Sequence, residues 1–495
     1  METANQKGIV LDITKQLKED YNASKELLDI VARAVGETKH INGAMIRSAR
    51  AELMNITSLT EFFNQDIGLA RLTGISYIDS NHNAQLPSKI KIKQYFDDYT
   101  RIGLLGVKEL PSRYIAEKVI EEMVFSKGYF YNENGEQIRA TAEPYRGTEI
   151  SETLDDAKIL ISEYISGNPI GQELKALEDT LAKVKNIDSS YNLVKNKRDE
   201  LINGSLETLA LFHVATAFNK YAIEDILKQK NFAFIELRPE TYKIMFQNNL
   251  ENILNYKGLF PTGHDKKHIS ISLDGLLDEM FKDSNMLPEW IIHGDMHLGN
   301  FIHGETGIKL IDFGHVKKGT PEQDLAMLLI NNVIKTKIDQ IKEYTGYYLK
   351  KREFLKKKIA LDQTVEPIIY ANVDSQSFFR NVLFASLFSL VKVAGNMAYS
   401  IMNKQENAQF LIKTDPYKIR NNMRRAHEVM KYMVSESSEL GITPEARQYI
   451  SDLDDLLISK LELAKNGEQS DNRQNITKAK KVFALRRKKL ISQRI

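Results

Sequence analysis

The sequence predicts an α+β protein built as two lobes, a small strand-rich lobe over residues 66–165 and a large helical one over 166–330, with helical extensions on either side. Three observations predict it. Strand patterns concentrate early: Ile90-Lys91-Ile92-Lys93-Gln94-Tyr95-Phe96 alternates apolar and basic residues, as a half-buried strand does. Further on, apolar residues recur at helical spacing to about residue 465. Within the large lobe lies one dense run, Ile292-His293-Gly294-Asp295-Met296-His297-Leu298-Gly299-Asn300, followed by Ile311-Asp312-Phe313-Gly314.

Residues 1–65 read as helical through Ile9, Ile13, Leu17, Leu27, Leu28 and Val31. In the small lobe, Leu105 to Leu110 reads as a second strand, ended by Pro111. A helix over 112–127 opens on Ser112, carries Glu117, Glu121 and Glu122, and buries Val119, Ile120, Met123 and Val124. Lys158 to Gly167 is an apolar strand running into a bend. The charged stretch 167–203, with Leu174, Leu177, Leu181 and Val184 at helical spacing, reads as an insertion with a solvent-facing helix. Residues 206–213 form an apolar helix in which His213 is a core histidine.

Residues 382–402 are rich in apolar residues but include Lys392, Gly395 and Asn396, and are read as a buried helix rather than a membrane span. The extension 331–465 closes on a helix with Thr443 as cap, Pro444 in the first turn and Tyr449, Ile450, Leu453, Leu456, Leu457 and Leu461 on one face. Residues 466–471 read as a linker, and the tail 473–495 holds nine Lys or Arg and no acid. That tail offers a docking element for nucleic acid or another anionic partner, against the plainer reading of a solvated end.

The absence of cysteine from all 495 residues excludes disulfides, thiolate metal sites and cysteine nucleophiles. A net charge of +2 gives no overall pull toward nucleic acid or anionic membrane. Residues 1–7 lack the basic and apolar regions of a secretory signal, so a cytoplasmic protein with no transmembrane segment is expected.

The dense run carries the chemistry. Phosphoryl transfer from a Mg-nucleotide needs a carboxylate near the acceptor hydroxyl and hard oxygen ligands on the metal. Asp295, Asn300 and Asp312 are residues of those types. A hairpin of strands 300–303 and 308–312 about a turn at 304–307 would fold Asn300 and Asp312 back toward each other. A competing reading makes His293, Asp295 and His297 a metallohydrolase cluster. His264 and His268, also four apart, are read as exposed loop residues.

The elements His293-Gly294-Asp295, Asn300, Ile311-Asp312-Phe313-Gly314 and Asp324-Leu325-Ala326 resemble the aminoglycoside phosphotransferase and choline kinase superfamily, over about 35 residues. The resemblance implies a protein-kinase-like fold using Mg²⁺ and ATP, with GTP as the alternative. It implies Asp295 as catalytic base, Asn300 and Asp312 as metal ligands, Asp324 as acceptor of the catalytic loop's N–H groups, and His293 and His297 as architectural. Lys158 to Gly167 is similar to the hinge of such folds, where the backbone around Glu163 and Ile165 would meet the adenine edge. For the phosphate-binding lysine and its glutamate partner, Lys93 with Glu117 is favoured over Lys108 with Glu121, and Lys91 stands third. Lys108 precedes Glu117 by only nine residues, which must hold a strand end, a turn and a helix start. No Gly-x-Gly-x-x-Gly is present, and Gly68 to Gly74 is the candidate phosphate cover.

The leading function is transfer of the γ-phosphoryl group to a hydroxyl of a small molecule. The alternatives are an atypical protein kinase or ATPase in a macromolecular, RNA-linked assembly, suggested by the basic tail, and a non-catalytic nucleotide-binding scaffold.

Overall fold

The computed structural model describes residues 44–48, 71–79, 89–94, 115–121, 130–131, 137–138, 141, 159–163, 165, 167–183, 189–229, 232, 234–256, 263–282, 289–304, 307–330, 337–360, 374–402 and 416–467. Lys108, the Gly68–Gly74 segment apart from residues 71–74, and the basic tail lie outside them.

Four strands, β1 (Ala44–Ser48), β2 (Arg71–Asp79), β3 (Lys89–Gln94) and β6 (Ile159–Glu163), form an antiparallel sheet in the order β1-β2-β3-β6. The predicted strand 90–96 is thus β3, with its backbone registered so that Lys93 faces Leu160 and Ile90 faces Glu163. Short strands β4 (Phe130–Tyr131) and β5 (Gln137–Ile138) pair with each other. Of the predicted helix 112–127, residues 115–121 are described and helical (α1), with Ala116, Glu117, Val119, Ile120 and Glu121 all buried.

The helical part begins after β7 (Gly167–Pro169) with α2 (Ile170–Leu181), α3 (Ser189–Phe218), α4 (Lys220–Gln229), α5 (Pro239–Tyr256) and α6 (Gly263–Phe281). It continues through α7 (Pro321–Leu329), α8 (Ile338–Ala360), α9 (Ser375–Met402), α10 (Pro416–Ser435) and α11 (Pro444–Gly467). The apolar stripe read at 206–213 lies inside α3, where Leu206, Leu209, Ala210, Leu211 and Phe212 are all buried. In α11, Ala446, Ile450, Leu453 and Leu457 are buried, and Thr443 caps its start by accepting the Ala446 N–H at 3.3 Å. The long α9 packs on α5, α7 and α10. By length and composition, residues 190–218 and 375–399 could each cross a membrane, yet 78% and 72% of these windows are buried inside the protein.

The charged stretch 167–203 carries the solvent-facing helix expected of it, α2, with only Ile170 and Leu174 buried; β7 pairs with β9 (Phe301–Gly304) beside the motif, and Arg198 bonds both Glu178 and Tyr344. The high charge of the stretch reflects the outward faces of helices whose apolar stripes are narrow. His264 and His268 belong to helix α6, not to a loop; lysines between them hid a pattern that Ile269, Leu273, Leu276, Leu277 and Met280 carry into the core. His268 is exposed, as expected.

Candidate active site

The motif is a loop clamped between short strands. β8 (Trp290–Ile292) pairs antiparallel with β11 (Lys317–Gly319), Ile292 opposite Lys317, so residues 293–316 leave and re-enter at one place. Between them β9 and β10 (Gly307–Leu310) form the hairpin, Phe301 opposite Leu310. It begins and ends later and earlier than the sequence suggests: Asn300 closes a 3₁₀ turn over Leu298–Asn300, and Asp312 lies two residues beyond β10. The predicted convergence still follows, because the Ile311 N–H donates to the Asn300 carbonyl at 2.9 Å.

Asp324, in the first turn of α7 and fully buried, holds the loop. Its two oxygens accept the backbone N–H of His293 at 2.7 Å and of Gly294 at 2.9 Å. One of them also faces His213 Nε2 at 3.0 Å, while His213 Nδ1 lies 2.7 Å from the Tyr348 hydroxyl. Donation from Nε2–H to the carboxylate and from Tyr348 to Nδ1 satisfies both ring nitrogens with a neutral imidazole. Burial pushes the His213 pKa down, consistent with that form. Burial alone would raise the Asp324 carboxyl, but its bond to His213 and the backbone N–H groups hold it below the ordinary value. The helix start is well specified: Thr320 precedes Pro321, and the Gln323 side chain accepts the Thr320 N–H at 3.2 Å. A carboxylate in that first turn also gains from the helix dipole.

His293 ties the loop to the strand behind it. Its Nε2 donates to the Ile311 carbonyl at 3.0 Å and its Nδ1 accepts the Asp295 N–H at 3.4 Å. Phe313 is fully buried, stacked on Phe212 at 5.4 Å and edge-on to His293 at 5.5 Å, so the residue after Asp312 is anchored in the core. His297 accepts the Gly299 N–H through Nδ1 and lies 3.8 Å from an Asp295 oxygen. With both nitrogens of His293 used inside the protein, the metallohydrolase cluster does not form.

Two backbone conformations mark the site. Gly294 has φ +77°, and a Cβ there would stand 2.0 Å from Lys317 Cε and 2.5 Å from the His315 carbonyl oxygen. Gly294→Ala is therefore expected to destabilise the protein by about 2 kcal/mol or more and to lower any activity, checked by thermal unfolding of the variant. Asp312 has φ +70°, alone among the described non-glycine residues. Such strain persists where the surroundings over-determine a conformation, and functional sites are where it clusters.

Asp295 has its side chain 39% exposed. Burial raises its pKa, but the imidazoles of His297, His315 and His293 and the Lys392 ammonium outweigh that and hold it below the usual range. It is ionised at neutral pH, as a proton acceptor must be. Asn300, five percent exposed, donates its amide N–H to the Asp295 carbonyl at 2.9 Å, which leaves its side-chain oxygen as a cation donor. An amide oxygen and the Asp312 carboxylate make a sparse, all-oxygen set of the kind that suits Mg²⁺ shared with phosphates and water. The residues present thus fit the ion.

Lys93, in β3, has its backbone but not its side chain among the described residues; Glu117 is buried in α1; Glu163 ends β6; Ile165 is half-buried just beyond it. Sequence reasoning missed Lys317 and valued Lys392 only as a charge unsuited to a membrane. No short-range pattern announces either, because β11 is three residues long and Lys392 comes from a helix about a hundred residues away.

Residues 264–357 match the family model described as the phosphotransferase enzyme family. No curated protein matches the chain. Among solved structures, a choline kinase from Cryptosporidium parvum is 10% identical, covering 87% of this chain and 97% of its own, with a TM-score of 0.43. A choline/ethanolamine kinase family protein from Mesorhizobium loti is 10% identical over 78% of this chain and 91% of its own, with a TM-score of 0.41. An ethanolamine kinase from Plasmodium vivax is 11% identical over 83% and 92%, with a TM-score of 0.42. Such scores do not carry those proteins' acceptors over to this one. The motif residues from His293 to Asp324 all lie inside the matched span, and over this segment the chain is similar to the phosphotransferase enzyme family.

Proposed function

We propose that the protein transfers the γ-phosphoryl group of a Mg-nucleotide, ATP with GTP as the alternative, to a hydroxyl of a small molecule. The observation that carries this reading is the clamped loop: Asp324 holds the N–H groups of His293 and Gly294, and Asp295 and Asn300 follow on the same turn.

In the reaction, the acceptor oxygen forms a bond to Pγ, the bond from Pγ to the β–γ bridging oxygen breaks, and the nucleoside diphosphate leaves with the electron pair. Asp295 takes the hydroxyl proton, its low pKa making it an orienting acceptor more than a strong base. Asn300 and Asp312 would hold the Mg²⁺, which when bound neutralises charge on the phosphate oxygens. Hydrogen bonds from His293 and the packing of Phe313 keep these groups in register, and positioning is most of what the protein must supply. For the nucleotide, Lys93 and Glu117 remain the proposed phosphate-side pair, Lys108 with Glu121 the second choice, and the backbone at Glu163 and Ile165 the proposed adenine contact.

Thermal unfolding with and without Mg-ATP tests the reading. A ligand that binds only the native state stabilises it by about 2.7 kcal/mol at a hundredfold excess over Kd. The wild type is expected to show a Mg-dependent rise in Tm that Asp312→Asn loses. Asparagine is the suitable replacement, because it tolerates the left-handed backbone that alanine would strain. A wild type with no rise in ATP or GTP overturns the proposal.

A further inference from the structure

Beside the catalytic loop lies a narrow cleft floored by Ile292, Gly294 and Asp324 and walled by Tyr242, Phe246 and Phe388. The wall is a rigid aromatic cluster, with Phe388 5.2 Å from Tyr242 and 4.9 Å from Phe246, ring to ring. Two ammonium groups line the same cleft, Lys317 from β11 and Lys392 from α9. Lys392 is the only charged residue of α9 after Arg380, and it comes from an otherwise apolar stretch. It makes no hydrogen bond or ion pair with any described residue. The Asp324 oxygens are occupied by His293, Gly294 and His213, so that carboxylate is committed to the loop.

We propose that this cleft seats the acceptor, and that the acceptor carries an anionic group, a carboxylate or a phosphate ester, held by Lys392 and Lys317. Its apolar portion lies against the aromatic wall and its hydroxyl reaches toward Asp295. The assignment deepens the phosphotransferase reading and rests on it. A competing role for Lys392 is to balance Asp295 and Asp324 without touching any ligand. Against it, burial depresses the lysine despite the field of both carboxylates, so they do not offset the cost of burying the cation. A ligand anion would, through charge-assisted bonds in a water-poor cleft. An amine-bearing acceptor would instead meet two like charges there, and like-charge juxtaposition discriminates strongly.

The test compares four small hydroxyl compounds of different charge: glycerol 3-phosphate, glycerate, glycerol and choline. Each is added at about 10 mM, enough to fill a site of millimolar Kd, to the full chain with the non-hydrolysable nucleotide Mg-AMP-PNP. Reductive methylation read by mass spectrometry reports the accessibility of Lys392 and Lys317. The two anions are expected to slow labelling of Lys392 about fivefold or more, while glycerol and choline leave it unchanged. With Mg-ATP, consumption should favour the anions over choline by at least about tenfold in kcat/KM. Lys392→Met should erase that preference chiefly through KM, and Lys392→Arg should restore part of it. Labelling that responds to no anion, a choline preference, or an anion preference untouched in Lys392→Met overturns the proposal. The Mg-ATP rise in Tm separates the two levels: if it is present while the anions fail, only the acceptor assignment falls, and if it is absent the phosphotransferase reading falls as well.

Discussion

Asp295→Asn is expected to lower turnover by about 10²–10⁴-fold, the usual worth of a positioned proton acceptor. It should leave the Mg-ATP-dependent rise in Tm nearly intact. The substitution keeps size and shape, and the loop's anchoring does not depend on this carboxylate: the Asn300 amide bonds the Asp295 carbonyl and His293 bonds its N–H, both backbone groups. The Asp295 side chain lies 3.8 Å from His297 Nε2, too long for a strong bond. Removing the charge should therefore cost little stability and act on the chemical step. Asp312→Asn should do the reverse, weakening Mg-nucleotide binding itself. Turnover measured at saturating nucleotide, together with nucleotide-induced Tm shifts for each variant, checks the division. Equal losses in both readouts for both variants would show that the two carboxylates do not divide the work this way.

Asp324→Ala should be the most damaging single change to stability, costing about 3–5 kcal/mol, because it takes the shared acceptor away from several buried donors at once. Three donors converge on this carboxylate, the N–H groups of His293 and Gly294 and the Nε2–H of His213, and all are buried. Each orphaned buried donor costs about 1–3 kcal/mol. Asp324→Asn keeps one oxygen but turns an amide N–H₂ toward a donor, so it should recover only part of the loss. Denaturant unfolding of the wild type and both variants reads the order directly. A loss below about 1 kcal/mol for alanine would mean that the loop is held by the β8–β11 pairing and the Phe313 stack instead.

How much of this was legible in the chain depends on the range of the interaction. Asp295, Asn300 and Asp312 could be singled out because the hairpin that joins them is local, and a two-strand ribbon brings its ends together whatever surrounds it. His213 was read as a core histidine, and its burial and two ring-nitrogen partners agree with that. In the stretch 167–203 the helix was legible but β7 was not, because it is only three residues long. Pairing of so short a strand is decided by its neighbour β9, not by its own composition.

By itself the sequence determined the chemistry-bearing types and their local geometry. Oxygen-bearing side chains in a local hairpin, a core histidine on an apolar helix and a capped helix starting at Thr443 all follow from short-range rules. The tertiary structure alone decided what surrounds them. Lys317 meets the loop because β11 pairs with β8, and Lys392 meets it because α9 packs against α5 and α7. Helix packing selects partners by buried apolar surface, which carries no record of where a lone polar residue will emerge. The charge of the cleft was therefore set by long-range packing.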